Sequence, residues 1–129
     1  MKTLTAAAAI VAAMIAALCA VAPATASPDE PTTGDRILYI FESDVHENEG
    51  AYWFDANNEI DSLTEAVLPD YDSARGRWLG AVRVTSASTY QSTTSTFQTS
   101  GHYAACRTYV NDTLVAQDWA TGQYAVATC

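Results

Sequence analysis

From residue 36 onward the sequence consists of short apolar segments separated by turn residues, and this pattern constrains the fold more than any other feature. The clearest segment, Arg77–Thr85, alternates with period two: Trp78, Val82 and Val84 fall on one face and two arginines on the other. Residues 61–68 have helical spacing but end at a proline, and they are too few for an independent helix. About seven short strands predict an all-β chain folded as a small antiparallel, immunoglobulin-like β-sandwich.

The predicted strands are rich in β-branched and aromatic residues, whereas Asn, Asp and Gly mark the turns between them. Residues 61–68 are predicted as strand or irregular structure, and residues 56–58 as the turn of a hairpin. The Ser- and Thr-rich residues 85–100 are predicted as a polar strand pair joined by a loop. The other predicted strands are residues 36–42, 51–55, 77–85, 103–110, 113–119 and 123–129.

The most detailed structural prediction concerns the hairpin around Asn111 and Asp112. A two-residue turn there pairs Val110 with Thr113 and, by antiparallel counting, Cys106 with Gln117. An unpaired arginine is almost never fully buried, so the face with Arg107 should point outward and the face with Cys106 into the core. The predicted inward face comprises Cys106, Thr108, Val110, Val115 and Trp119, and the predicted outward face comprises Arg107, Tyr109, Leu114 and Ala116.

The first 26 residues have the composition of a signal peptide. A lysine gives a positive start, residues 4–22 are uncharged and largely apolar, and residues 24–26 form a small-x-small cleavage site. We expect cleavage after Ala26, with an uncleaved membrane anchor as the alternative, because ~20 apolar residues span a bilayer. Residues 27–35 are then predicted to be a flexible linker, and residues 36–129 the β-sandwich domain.

Two cysteines follow the leader, Cys106 and Cys129, and an even pair in an exported chain predicts one disulfide. The bridge requires a Cα–Cα distance of ~6 Å, which brings the last strand against the predicted hairpin. We expect the protein to be secreted or associated with the cell envelope, on the outer side of the plasma membrane.

The charge of the mature chain is strongly negative and unevenly spread. It has five arginines, no lysine and fifteen acidic residues, which gives a formal charge of −10. Thirteen of the acids lie between residues 29 and 72 with a single arginine, and four arginines follow. This balance argues against nucleic acid as a partner. A solvated acidic edge is favoured over a partner-binding surface.

Candidate catalytic and metal-binding patterns are weak. Asp55, Asn57, Glu59 and Asp61 alternate like calcium ligands, but the loop lacks the required glycine and terminal glutamate, and a hairpin turn is favoured. His46 and His102 lie among many serines without a nucleophile elbow, so a hydrolase is the least favoured alternative. We expect no catalytic, metal or cofactor site. Most strand aromatics are expected in the core or girdle, with a few available to line a ligand cleft.

A resemblance to a known family depends on five stretches spread over nearly the whole mature chain. They are residues 39–41, 51–57, 67–69 and 106–112 and the closing Cys129. In their order and spacing, the chain resembles the extracytoplasmic domain of the small mycobacterial membrane proteins of the MmpS family. Turn glycines of that family are replaced here by Asn58 and Asp112, and a tryptophan is replaced by Asp70.

The resemblance implies a β-sandwich with one disulfide and an accessory role beside large lipid or siderophore exporters of the resistance-nodulation type. We therefore expect a non-catalytic exported protein of the cell envelope, close to the membrane. The alternative is a free secreted β-sandwich module that binds a small apolar ligand or a cell-wall or host component.

Overall fold

The computed structural model describes residues 3–4 and 30–129, and within them the chain forms two antiparallel sheets and no helix. The predicted all-β sandwich with one disulfide is confirmed, with nine strands in place of about seven. The strands are β1 Arg36–Ser43, β2 Glu47–Phe54, β3 Ile60–Val67, β4 Asp70–Asp72, β5 Arg77–Thr85, β6 Ser95–Gln98, β7 Tyr103–Val110, β8 Thr113–Thr121 and β9 Val126–Thr128.

The sheets have five and four strands, in the orders β4-β5-β1-β7-β8 and β3-β2-β6-β9. The core lies between them and is built on Phe41 of the central strand β1, whose ring stacks on Phe97 at a centroid distance of 5.4 Å. Trp53 contributes from β2, and Tyr39 is fully buried with its hydroxyl donating to the Phe54 carbonyl at 3.0 Å. Aromatic residues at alternate strand positions therefore fill the space between the sheets.

Strand β1 is buried on both faces. A second apolar cluster, separate from the core, lies on the outward side of the five-stranded sheet, and Tyr109 packs against it. Its members are Leu38, Ile40, Leu79 and Ala81. The apolar run of β1 faces both ways for this reason, as expected of a strand inside a sheet.

The Ser- and Thr-rich segment forms one short strand, β6, so the prediction of a strand pair was wrong. Residues 86–94 instead cross from one sheet to the other, where no neighbouring strand can satisfy their backbone. The side chain of buried Gln91 satisfies backbone groups in place of a strand: its amide donates to the Asp55 and Ser92 carbonyls at 2.9 and 3.0 Å. Its carbonyl oxygen accepts from the Ser86 hydroxyl at 2.9 Å.

The hairpin of β7 and β8 confirms the Asn111-Asp112 turn and the Val110–Thr113 pair, and both turn residues have positive φ. Beyond Tyr109 the register shifts by one residue, because Val115 is a bulge residue without a partner in β7. Cys106 therefore pairs with Asp118 and not with Gln117. One extra residue reverses the faces of the remaining strand, because the side-chain period is two.

Because of the bulge, two of the predicted face assignments are wrong. Trp119 pairs with Ala105 on the outward face, whereas it was predicted to be in the core, and Ala116 pairs with inward-facing Thr108. The other assignments are confirmed: Cys106 is buried at 1% exposure, and Arg107 lies on the outward face.

The disulfide joins the two sheets. Cys106 lies on β7, and Cys129 follows β9, which is hydrogen-bonded to β6 of the other sheet. The Cα–Cα distance is 6.1 Å, as expected for a bridge. Asp118 adds a second link, because its carboxylate accepts the Thr128 N–H at 2.9 Å.

The predicted leader lies almost entirely outside the described residues, as does its predicted cleavage site. Leu4 is the exception: it is 7% exposed and packs with the core, next to Leu68 and Gly80. In the predicted linker, the Gly34 N–H donates to the Ser86 carbonyl at 2.8 Å, and the Pro31 carbonyl accepts from Gln91. The described residues contain no helix long and apolar enough to cross a bilayer.

Candidate functional site

The fold converts the uneven charge of the sequence into a difference between the two sheets. The strands of the four-stranded sheet carry acidic residues and no cation. Arg36, Arg77, Arg83 and Arg107 lie on the five-stranded sheet, and Arg75 lies in the turn that precedes β5. Cross-strand pairing places the four strand arginines on the outward side of that sheet. We call this surface, together with Arg75 and the residues between them, the arginine face.

A buried carboxylate lies at the centre of the arginine face. Glu42 is 1% exposed, and it accepts from Arg75 Nη2 at 2.8 Å and from Arg107 Nη2 at 3.1 Å. Arg77 Nε is 3.9 Å from the same carboxylate. Three guanidinium groups thus surround one negative charge, so the cluster retains an excess of positive charge within an acidic protein.

Strand register explains how Glu42 comes to be buried. It pairs with Leu79 on one side and Ala105 on the other, both on the outward side of the sheet. Long arginine side chains reach it from β5, from the preceding turn and from β7, and their stems cover apolar surface on the way. A buried charge is tolerated only when it is paired and hydrogen-bonded, and these contacts provide that.

Sequence reasoning missed this cluster, because Glu42 appeared only as the polar end of an apolar strand. One signal was available: β1 is apolar on both faces, so a charged residue within it requires cationic partners. The identity of those partners depends on the pairing of β1 with both β5 and β7, which the sequence does not reveal.

Aromatic residues border the arginines at one end of the face. The Arg77 guanidinium carbon lies 4.0 Å from the centroid of the Tyr103 ring, a cation–π contact. Trp119 is 64% exposed, opposite Ala105 on the neighbouring strand. A hollow of about 270 Å³ lies here, lined by Tyr103, Ala105, Cys106, Arg107, Gln117, Asp118 and Trp119.

The two candidate histidines have different surroundings. The His46 ring lies 4.4 Å from the Trp78 ring, which also contacts Tyr71 at 5.0 Å. The backbone N–H of exposed His102 donates to both oxygens of Asp44, at 3.0 and 3.1 Å. These contacts place neither histidine beside a described nucleophile.

Asp44 fixes the loop that leads into β7. Burial raises the pKa of its carboxyl, but hydrogen bonds from the backbone of His102 and Tyr103 and from the Thr99 hydroxyl outweigh this effect. The net result is a pKa below the usual value. Gly101 is required beside it, because a Cβ there would lie 2.5 Å from an Asp44 carboxylate oxygen.

The calcium-like pattern forms a hairpin turn, the favoured interpretation. The Asp55 carboxylate accepts the backbone N–H groups of Asn57 and Glu59 at 2.9 and 3.0 Å. Asn58 takes φ of 61°, so it adopts the turn conformation that a glycine favours. Among residues 3–4 and 30–129, no group of three or more potential ligand side chains is arranged to hold a metal ion.

Comparison with known proteins gives no relative from which a function can be transferred. No protein-family model matches the chain, and no curated protein matches it significantly. The functional argument therefore starts from the arginine face and from the resemblance described above.

Proposed function

We propose that this chain is a non-catalytic exported protein of the cell envelope that binds an acidic partner through its arginine face. The observation that carries the proposal is the buried Glu42, which holds Arg75 and Arg107 in fixed positions. Ordered arginines lose less side-chain entropy on binding than free ones do. Arginine and tryptophan are also the residue types most enriched at the energetic centres of protein interfaces.

The charge distribution supports an acidic partner surface in particular. With its overall negative charge, the protein repels most acidic surfaces. On the arginine face Arg36 is paired with Asp112 at 3.1 Å, and the excess of positive charge lies with the three arginines around Glu42. Complementary patches of this kind raise association rates and fix orientation more than they raise affinity. The partner is then recognised by one face only, with the four-stranded sheet pointing away from it.

The resemblance to the MmpS family supports a particular kind of partner, a large exporter of the resistance-nodulation type. The signal-like leader and the disulfide support a location on the outer side of the plasma membrane. The second candidate is a freely secreted binding module, which is favoured by the exposed aromatics Trp119 and Tyr52. A secreted hydrolase has less support, given the surroundings of His46 and His102.

Photo-crosslinking in the native host tests the proposal. A photoreactive phenylalanine analogue replaces Trp119 on the arginine face or, as the matched control, Tyr52 on the outward face of the other sheet; these residues are 64% and 53% exposed. We expect the Trp119 position to label a large membrane exporter and the Tyr52 position not to label it. Equal labelling from both positions, or no membrane partner from Trp119, would overturn the proposal.

A further inference from the structure

We infer that the hollow above Ala105 is a binding site for an acidic sugar, that is, a single sugar ring that carries a carboxylate or a phosphate group. The inference rests on the proposed function, because it assigns a ligand class to part of the arginine face. It depends on three features of the hollow: an ordered cation, an exposed indole ring, and a floor formed by a small side chain.

The cation that lines the hollow is Arg107. Arg107 donates one N–H to Glu42, and a guanidinium has five N–H donors, so donors remain for a second oxyanion. Arg77 stacks on the Tyr103 ring at 4.0 Å, so a second positive charge lies next to one wall of the hollow. Arginine pairs with planar or tetrahedral oxyanions through parallel N–H bonds. A carboxylate and a phosphate both fit this arrangement.

The indole of Trp119 forms the opposite wall. It is unusually exposed for so large an apolar side chain, and the β8 bulge holds it on the outward face. The C–H face of a sugar ring packs on an aromatic ring, while its hydroxyls remain hydrogen-bonded to water or to a neighbour such as Gln117. The wall therefore suits a ring with one apolar face and a polar edge.

The floor sets the size of the ligand. Ala105 lies between Tyr103 and Arg107 along β7, and a larger residue there would fill the hollow. The volume of about 270 Å³ accommodates roughly one sugar ring and is below the usual range for drug-sized ligands.

Nearby acids do not oppose an anion at this place. The Asp118 carboxylate is engaged by the Thr128 N–H on the side of β8 that faces β9. Asp72 lies across β5 and accepts the backbone N–H groups of Ala74 and Arg75. Glu42 accepts from Arg107, which lines the hollow, and its charge is outnumbered by three guanidinium groups.

Titration of the exported protein tests the inference, with heat release and the tryptophan indole N–H resonances as readouts. Glucuronate and glucose 1-phosphate are the acidic probes, and glucose is the neutral control. We expect millimolar binding of at least one acidic probe, weakened by added salt, and at least tenfold weaker binding of glucose. Binding of both acids assigns the site to the oxyanion in general, and binding of one identifies carboxylate or phosphate as the source.

Variants locate the binding. Trp119→Ala removes an exposed side chain and should weaken binding about tenfold, whereas Tyr52→Ala on the opposite sheet should leave it unchanged. Ala105→Leu fills the hollow and should abolish binding, with near-UV circular dichroism to confirm the native fold. Three results would overturn the inference: glucose that binds as tightly as the acids, no binding of either acid at concentrations up to about 50 mM, or full affinity in Trp119→Ala.

The two proposals fail separately. If the acidic sugars do not bind but Trp119 still crosslinks to an exporter, only the ligand class is wrong. If the sugars bind and no partner is labelled, the site remains and the partner is wrong.

Discussion

Replacing Glu42 with glutamine removes one negative charge from beneath the arginine face and changes the shape of the side chain very little. The wild-type carboxylate is 1% exposed and accepts close hydrogen bonds from Arg75 and Arg107. Glutamine keeps one acceptor oxygen, but its amide group points two donors at guanidinium groups that are themselves donors. The variant therefore creates an unfavourable contact in place of a favourable one.

The magnitude follows from the burial of each partner. A hydrogen bond to a charged group contributes about 1.5–3 kcal/mol, and breaking a buried ion pair costs about 3–5 kcal/mol. Here Arg75 and Arg107 are 46% and 25% exposed, so water can solvate much of their freed charge. We therefore expect Glu42→Gln to lower the free energy of unfolding by about 2–3 kcal/mol.

Urea unfolding at neutral pH, followed by tryptophan fluorescence, measures this loss. With a slope of about 1–3 kcal/mol per molar urea for a small domain, the midpoint should fall by about 1–2 M. Glu47→Gln is the matched control, because Glu47 is an exposed residue of β2 and loses the same charge. A Glu42→Gln midpoint that coincides with that of Glu47→Gln would refute the reasoning, since surface changes stay within about 0.5 kcal/mol.

Three further predictions concern the disulfide, the loop before β7 and the leader. Replacing Cys106 and Cys129 with serine should cost about 3 kcal/mol in urea unfolding, because the bridge closes a sequence separation of 23 residues; an unchanged midpoint would contradict this. Because the pKa of Asp44 is lowered in the folded protein, its stabilising effect is complete above the unfolded value of 3.8 and is lost as the pH falls through the folded value. Asp44→Asn should therefore flatten the decline of stability in acid, and an unchanged pH profile would argue against this role. Export with cleavage after Ala26 should give Ser27 as the first residue on N-terminal sequencing. It should also remove Leu4 from the core, so the released protein should bind a hydrophobic dye more strongly than the uncleaved chain.

Local patterns predicted much of the fold. Arg77–Thr85 forms β5 with the expected faces, since strict alternation allows only one assignment. The turn at Asn111 and Asp112 was predictable because these residues tolerate positive φ. The polar segment 85–100 was misassigned, because threonine favours strands and its crossing between the sheets leaves no mark in the sequence.

The candidate site was less predictable than the fold. The outward position of Arg107 followed from the cost of burying a charge, but its partner Glu42 is 65 residues away in the chain. Trp119 was placed in the core because simple counting along β8 omits the bulge at Val115. Nothing in the composition of β8 distinguishes a bulged strand from a regular one, so the hollow above Ala105 appears only in the structure.

The same bulge makes this surface tolerant of a deletion in β8 but sensitive to an insertion. Deleting the single codon for Val115 would remove the bulge and leave the other cross-strand pairs as they are, with Trp119 opposite Ala105 and Asp118 opposite Cys106. One residue inserted after Ala116 and paired regularly would instead turn Trp119 towards the core and place Asp118 opposite Ala105. The hollow would then lose its indole wall and gain a carboxylate, although no residue lining it had been substituted. In evolutionary terms, related sequences with a β8 one residue shorter should keep this face, and those with a β8 one residue longer should lose it.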